Sequence, residues 1–210
     1  GMPTLEESLF LLQGKDPAHE VSAHYLVAED GEVMQLVDES KRAWHAGKSY
    51  WEGEEDMNSA SIGIEIQNVG HRYGYQKFPS SQIDAVIKLC QDIITRHSVL
   101  PHHVLAHSDI APERRMDPGE LFPWERLAKN GIGLWPEINN EDINNSGNIQ
   151  EILTSYGYGQ RIDDNTIITA FQRHFEPEIF STPERIGAET ANTVQLASAL
   201  LRAKLGDGST

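Results

Sequence analysis

Residues 60–67 read Ala-Ser-Ile-Gly-Ile-Glu-Ile-Gln, with Ile62, Ile64 and Ile66 at every second position. An extended strand points successive side chains to opposite faces, so this order puts the isoleucines on one face and Ser61, Gly63, Glu65 and Gln67 on the other. A helix cannot bring residues spaced by two to one side. The run therefore commits this part of the chain to a sheet and sends Glu65 out from the face opposite the isoleucines. Ahead of it, the apolar and aromatic residues 23–28, the turn signal Asp30-Gly31 and the run 33–37 predict a hairpin.

Residues 81–97 change period. Ile83, Val86, Ile87, Cys90, Ile93 and Ile94 follow helical spacing, with Ser81 and Asp84 placed as an N-terminal capping pair. A short strand-like run at 104–107 follows, then a loop rich in Pro and Arg, then Asp117-Pro118-Gly119 and a brief helix at 124–128. Strands interleaved with helices predict an α/β domain, a mixed central sheet flanked by helices. After Trp135-Pro136 the chain turns polar, with two Asn-rich clusters that suit a linker at 139–147. Beyond it only helical patterns remain, at 149–156, 164–175 and 183–205, the last with Ile186, Val194, Ala197, Leu200 and Leu201 on one stripe. The expected organisation is a body at 1–138, a linker, and a small all-α three-helix domain at 148–210.

A total of 210 residues allows two compact units without staples. The 32 acidic residues outnumber the 17 basic ones, for a formal charge of −15, which repels nucleic-acid phosphates and anionic membrane surfaces. Nucleic acid is therefore an unsuitable partner. Cys90 stands alone, which excludes an intrachain disulfide and suits a small buried hydrophobe. No stretch approaches the roughly 18 apolar residues of a membrane span. The first residues lack a signal-peptide layout, and the Gly ahead of Met2 has the look of a tag remnant.

Nine histidines invite a metal reading. His19, His71, His97, His102 and His174 have no ligand-like partner nearby in sequence and read as packing or surface residues. His107 differs: it ends the strand-like run, and Asp117 follows after a loop that can fold back. An imidazole and a carboxylate brought onto one ion suit Zn²⁺. Spacing alone leaves open a plainer reading, in which Asp117 starts an Asp-Pro-Gly turn and His107 is a core histidine.

The order of short words decides between them. Val21-Ser22-Ala23-His24-Tyr25-Leu26-Val27, Arg42-Ala43-Trp44-His45-Ala46-Gly47, residues 61–66, Ala106-His107-Ser108-Asp109-Ile110-Ala111-Pro112, and Asp117-Pro118-Gly119 with Phe122-Pro123-Trp124 occur in the order of the amidase-2 family. These are N-acetylmuramoyl-L-alanine amidases with the fold shared by phage-T7-type lysozymes and peptidoglycan recognition proteins. The likeness is nearest the AmiD type, which carries a C-terminal helical peptidoglycan-binding domain. The tail agrees: Tyr156-Gly157-Tyr158-Gly159 followed by residues 170–175 resembles such domains, with Phe171 and Phe175, at i and i+4, expected in its core.

Carried over residue by residue, the resemblance implies a zinc enzyme that cleaves the amide between N-acetylmuramic acid, or its anhydro form, and the L-alanine of the stem peptide. It makes His107 and Asp117 zinc ligands and Glu65 the catalytic carboxylate, a base toward the attacking water and then an acid toward the leaving amine. Where the family has an oxyanion-stabilising lysine, this chain has Arg115, which keeps the charge and donors with a different geometry. His24, Trp44 and His45 are assigned to the glycopeptide groove, His24 as a hydrogen-bonded buttress and Trp44 as a flat surface for sugar or peptide.

The family's first zinc ligand, a histidine on an earlier strand, has no counterpart before Val21. Only His19 lies there, in a polar segment. Two readings follow: an amidase whose zinc site is incomplete in this chain, or a module that binds muropeptide without hydrolysing it. The resemblance implies residence in the cell envelope, periplasm or outer membrane, with a leader belonging to a longer N-terminus. A cytoplasmic role in muropeptide recycling is the alternative.

Overall fold

The computed structural model describes residues 4–13, 21–143, 147–160 and 162–207. Contacts group the chain into two compact units, Gly1–Ser49 with Glu54–Asp92, and Tyr50–Gly53 with Ile93–Thr210.

In the first unit, helix α1 (Leu5–Leu12) starts at a capping box, with the Thr4 hydroxyl accepting from the Glu7 amide and the Glu7 carboxylate accepting from the Thr4 amide. Its Leu5, Leu9 and Leu12 pack with Val21, Ala23, Leu26, Met34 and Leu36. The sequence reading contained no helix here. Strands β1 (Tyr25–Val27) and β2 (Val33–Gln35) pair antiparallel as the expected hairpin. A short helix α2 (Met57–Ala60) leads to strand β3 (Ile64–Ile66), which pairs parallel with β1, so the sheet is mixed, in the order β2-β1-β3. The α/β expectation holds. All three residues of β3 are half-buried rather than alternating, because the sheet is partly covered on both faces.

Helix α3 (Ser80–His97) buries Ile83 and Val86 and sends Gln82 to the end of the sheet. The Gln82 amide donates to the carbonyls of Val27 and Gln67, at 3.1 and 2.8 Å. The helix begins one residue before the expected cap. Ser81 therefore lies inside it, and its hydroxyl donates instead to the Glu29 carbonyl at 3.3 Å.

The second unit is helical. It contains α4 (His107–Ile110), α5 (Trp124–Ala128), α6 (Asn140–Ile143), α7 (Ile149–Tyr156), α8 (Asp164–Phe175) and α9 (Ala191–Asp207). The strand expected at 104–107 is absent; an extended stretch leads straight into α4 at His107. Asp109 is the cause, because its carboxylate accepts the Ala106 amide at 2.7 Å and turns the chain helical there. Helix α6 occupies part of the stretch expected as linker. Asn139 caps it by accepting from the amides of Glu141 and Asp142.

Helices α7 and α8 match their expected bounds, capped by Asn148 and Asp163. The third tail helix starts at Ala191 rather than at 183, because the preceding segment is committed elsewhere. Gln172, fully buried, accepts from the Gly187 amide and donates to the Ala188 carbonyl, while the Thr190 hydroxyl caps the helix at the Thr193 amide. The core holds Leu153, Tyr158, Ile167, Phe171, Phe175 and Leu200, so the Phe171 and Phe175 pair is internal as expected. Gly157 has a φ of 150°, and a Cβ there would lie 2.6 Å from the Trp51 indole. That indole packs edge-on against Tyr156 and Tyr158. No helix among the described residues is long and apolar enough to cross a membrane.

Candidate functional site

His107 opens α4, and the loop after that helix brings Asp117 back to it, with the Ser108 amide donating to the Asp117 carbonyl at 3.0 Å. His107 Nδ1 donates to Asp117 Oδ2 at 2.9 Å. The imidazole is largely covered and the carboxylate half-exposed. Burial resists ionisation of Asp117, but the hydrogen bond and charge of His107, with the nearby Arg115 charge, overcome it and hold the carboxyl at about 2. The two expected ligands are thus together, one nitrogen and one charged oxygen, a donor pair that fits zinc. Among the described residues, the single group of three or more potential metal ligands lies elsewhere. His19 is outside the described residues.

Glu65 belongs to the first unit, at the centre of β3 opposite Leu26 of β1. The register is held from the side by His24. This residue is 1% exposed, and its Nδ1 accepts the Gly63 amide at 3.0 Å while Nε2 donates to the Lys41 carbonyl at 3.0 Å. Both ring nitrogens are engaged within the unit, so His24 holds the strand just before Glu65. His45 packs edge-on against His24 and lies so close to Gly63 that a Cβ there would fall 2.3 Å from the ring. Glycine at 63 is therefore a packing requirement for His45. Trp44 is 47% exposed, with the Arg42 guanidinium 4.3 Å above its ring. Asp56 and Ser59 hold Arg42 in turn. That leaves a flat apolar surface backed by a fixed cation.

Two groupings escaped the sequence reading. His174, read as a packing histidine, donates from Nδ1 to Asp109 Oδ2 at 2.7 Å, and the Tyr158 hydroxyl donates to Asp109 Oδ1 at 2.8 Å. The Tyr158 hydroxyl is held well above its ordinary pKa by burial and by the Asp109 charge. The second grouping is Glu52, His102 and His103, each with one ligand atom, all within 4.8 Å of one another. The adjacent histidines were its only signal in sequence. Glu52 lies 51 residues from His103.

Comparison with known proteins bears on both units. The family described as N-acetylmuramoyl-L-alanine amidase matches residues 2–120. The chain is similar to N-acetylmuramoyl-L-alanine amidase AmiD of Escherichia coli K12, 39% identical over 209 residues, covering 87% of this chain and 74% of that protein. It is also similar to 1,6-anhydro-N-acetylmuramyl-L-alanine amidase AmpD of Enterobacter cloacae, 41% identical over 107 residues, covering 51% of this chain and 55% of that protein. Among solved structures, E. coli AmiD in complex with anhydro-N-acetylmuramic acid-L-Ala-D-gamma-Glu-L-Lys superposes with a TM-score of 0.81 at 37% identity, covering 94% of this chain and 84% of that one. AmpDh3 from Pseudomonas aeruginosa in complex with anhydromuramic pentapeptide gives a TM-score of 0.82 at 29% identity, covering 95% and 88%.

Proposed function

The chain belongs to the N-acetylmuramoyl-L-alanine amidase family and is of the AmiD type, and from that membership we propose that it hydrolyses the amide bond joining N-acetylmuramic acid, intact or anhydro, to the L-alanine of a muropeptide in a zinc-dependent reaction. The observation that carries the zinc is the His107–Asp117 pair, joined at 2.9 Å with the carboxylate kept ionised.

In this reading His107 and Asp117 hold the ion, which when bound supplies a Lewis acid to polarise the scissile carbonyl. Glu65 takes a proton from the attacking water as its oxygen bonds to the carbonyl carbon. It returns that proton to the alanine nitrogen as the C–N bond breaks. Arg115, next to the ligand pair in the chain, offers charge to the developing oxyanion. Trp44 offers its exposed face to the glycopeptide, with His45 beside it and His24 as the buttress. Residues 1–138 form the amidase body, 139–147 the linker and 148–210 a peptidoglycan-binding-like helical domain. The compartment proposed is the cell envelope, where peptidoglycan is found.

One observation favours a second reading, binding of muropeptide without hydrolysis: among the described residues, the group of three potential metal ligands does not include His107 or Asp117. Two ligands hold zinc more weakly than three. Digestion of anhydro-muramyl tripeptide separates the readings. Hydrolysis releases new L-alanine amino termini. Binding without amine release supports the second reading, and release of a new amino terminus on the D-glutamate or the lysine instead would show that another bond is cut.

A further inference from the structure

We propose that Glu52, His102 and His103 form a second zinc site, separate from His107 and Asp117, that clips the Tyr50–Gly53 turn to the Pro101–His103 turn within the second unit. Two imidazoles and one carboxylate are a donor set that zinc takes with its fourth position left to solvent. One ligand atom from each residue lies within 4.8 Å of the other two. Around tetrahedral zinc, bonds of about 2.0–2.1 Å place ligand atoms about 3.3 Å apart. The group therefore closes on an ion by small side-chain rotations.

The histidines are preset by a 3-10 turn. Pro101 starts it, the His103 amide donates to the Leu100 carbonyl at 2.9 Å, and the two rings end with centroids 4.4 Å apart at 66°. Neighbours in a chain normally diverge; here both rings share one side. His103 Nε2 donates to Glu52 Oε2 at 2.7 Å, the proton that a metal ion replaces. His102 is 9% exposed, whereas the side chains of His103 and Glu52 are 42% and 28% exposed, so the site has an inner ligand and an open mouth.

Glu52 is held from behind. Its amide donates to the Gly157 carbonyl at 3.0 Å, and its φ of 49° is left-handed, where glycine carries no strain and glutamate does. Its other carboxylate oxygen is taken by Lys204. The remaining donors of that ammonium go to the carbonyls of Ser155 and Tyr156, at 3.2 and 2.6 Å. Lys204 thus fixes the carboxylate as an outer-shell partner and leaves Oε2 to the histidines.

Zinc bound to the full chain, measured by equilibrium dialysis with metal analysis, tests the site in a His107→Ala background, which removes the ligand assigned to hydrolysis. The expected result is one zinc per chain in His107→Ala and a fall in affinity of more than roughly 100-fold when His103→Gln is added, beyond the loss of an outer-shell partner. Gln at this exposed position keeps a donor to Glu52, so the fold survives. A His103→Gln single variant, with circular dichroism and amine release unchanged, confirms that only the second site is touched. Equal zinc in the two His107→Ala proteins, or none in either, overturns the proposal. A wild type that releases no amine but passes this test leaves the second site standing and removes the hydrolytic reading alone.

Discussion

His174 on α8 donates from Nδ1 to Asp109 Oδ2 in α4 at 2.7 Å, and the two side chains are 3% and 1% exposed. The same carboxylate turns the chain at Ala106, one residue before His107. The tail helix therefore braces the local fold that presents a proposed zinc ligand, and rings of Trp124 and Phe175 stack on His174 to hold it there. Within the second unit the tail is structural support for this loop, whatever else it binds.

That brace makes His174→Ala a destabilising change. It leaves the Asp109 carboxylate buried with only the Tyr158 hydroxyl and the Ala106 amide as partners. Removing one member of a buried pair costs about 3–5 kcal/mol, and the two surviving partners put the expectation at about 3 kcal/mol. Denaturant unfolding reads it. A loss below about 1 kcal/mol would show that the pair is not a brace.

Gly63→Ala tests the strand before Glu65. The new methyl would sit 2.3 Å from the His45 ring, which is itself tied by its amide to Asn58 and packed against His24. Overpacking of this kind costs typically about 1–3 kcal/mol. Thermal unfolding should register the loss, and a combined Gly63→Ala and His45→Ala variant should recover part of it. Failure of the second change to compensate would separate glycine's role from His45.

Cys90 offers a pH-linked prediction. Burial pushes its thiol up to about 12 from the ordinary 9.0. A raised folded pKa favours the neutral thiol, so its contribution to stability is complete below 9.0 and is lost as pH rises towards 12. At about pH 8 the native thiolate fraction is roughly a thousandfold below that of an exposed thiol. Iodoacetamide should therefore label the native chain far more slowly than the chain in guanidinium. Equal rates would mean that the helix face carrying Cys90 is open.

Much of this was legible locally. The alternation of Ile62, Ile64 and Ile66 specified β3, and the stripe from Ile83 to Ile94 specified α3, because each is a period that one element satisfies by itself. The run 104–107 misled because three apolar residues suit a buried strand or an extended lead into a helix equally well, and Asp109 made the choice through one hydrogen bond. His107 and Asp117 became credible only through the order of motifs. Pairs such as Asp109 with His174, 65 residues apart, and Glu52 with His103 follow no period at all. They appear only once the folded chain has chosen their neighbours.

Glu65→Gln is the sharpest test of the proposed chemistry. The amide keeps the size and hydrogen-bonding reach of the carboxylate at the centre of β3, so the Leu26–Glu65 register and the packing of the sheet are retained. What it loses is the ability to accept a proton from water and pass it to the alanine nitrogen. General acid–base groups contribute typically about 10²–10⁴-fold, so kcat on anhydro-muramyl tripeptide should fall by that factor. KM should change little, because the side chain is assigned to the transition state and not to uniform binding. Zinc content should match the wild type, since Glu65 is not among the proposed ligands. Retention of wild-type kcat would remove Glu65 from catalysis, whereas loss of zinc together with kcat would recast it as a ligand.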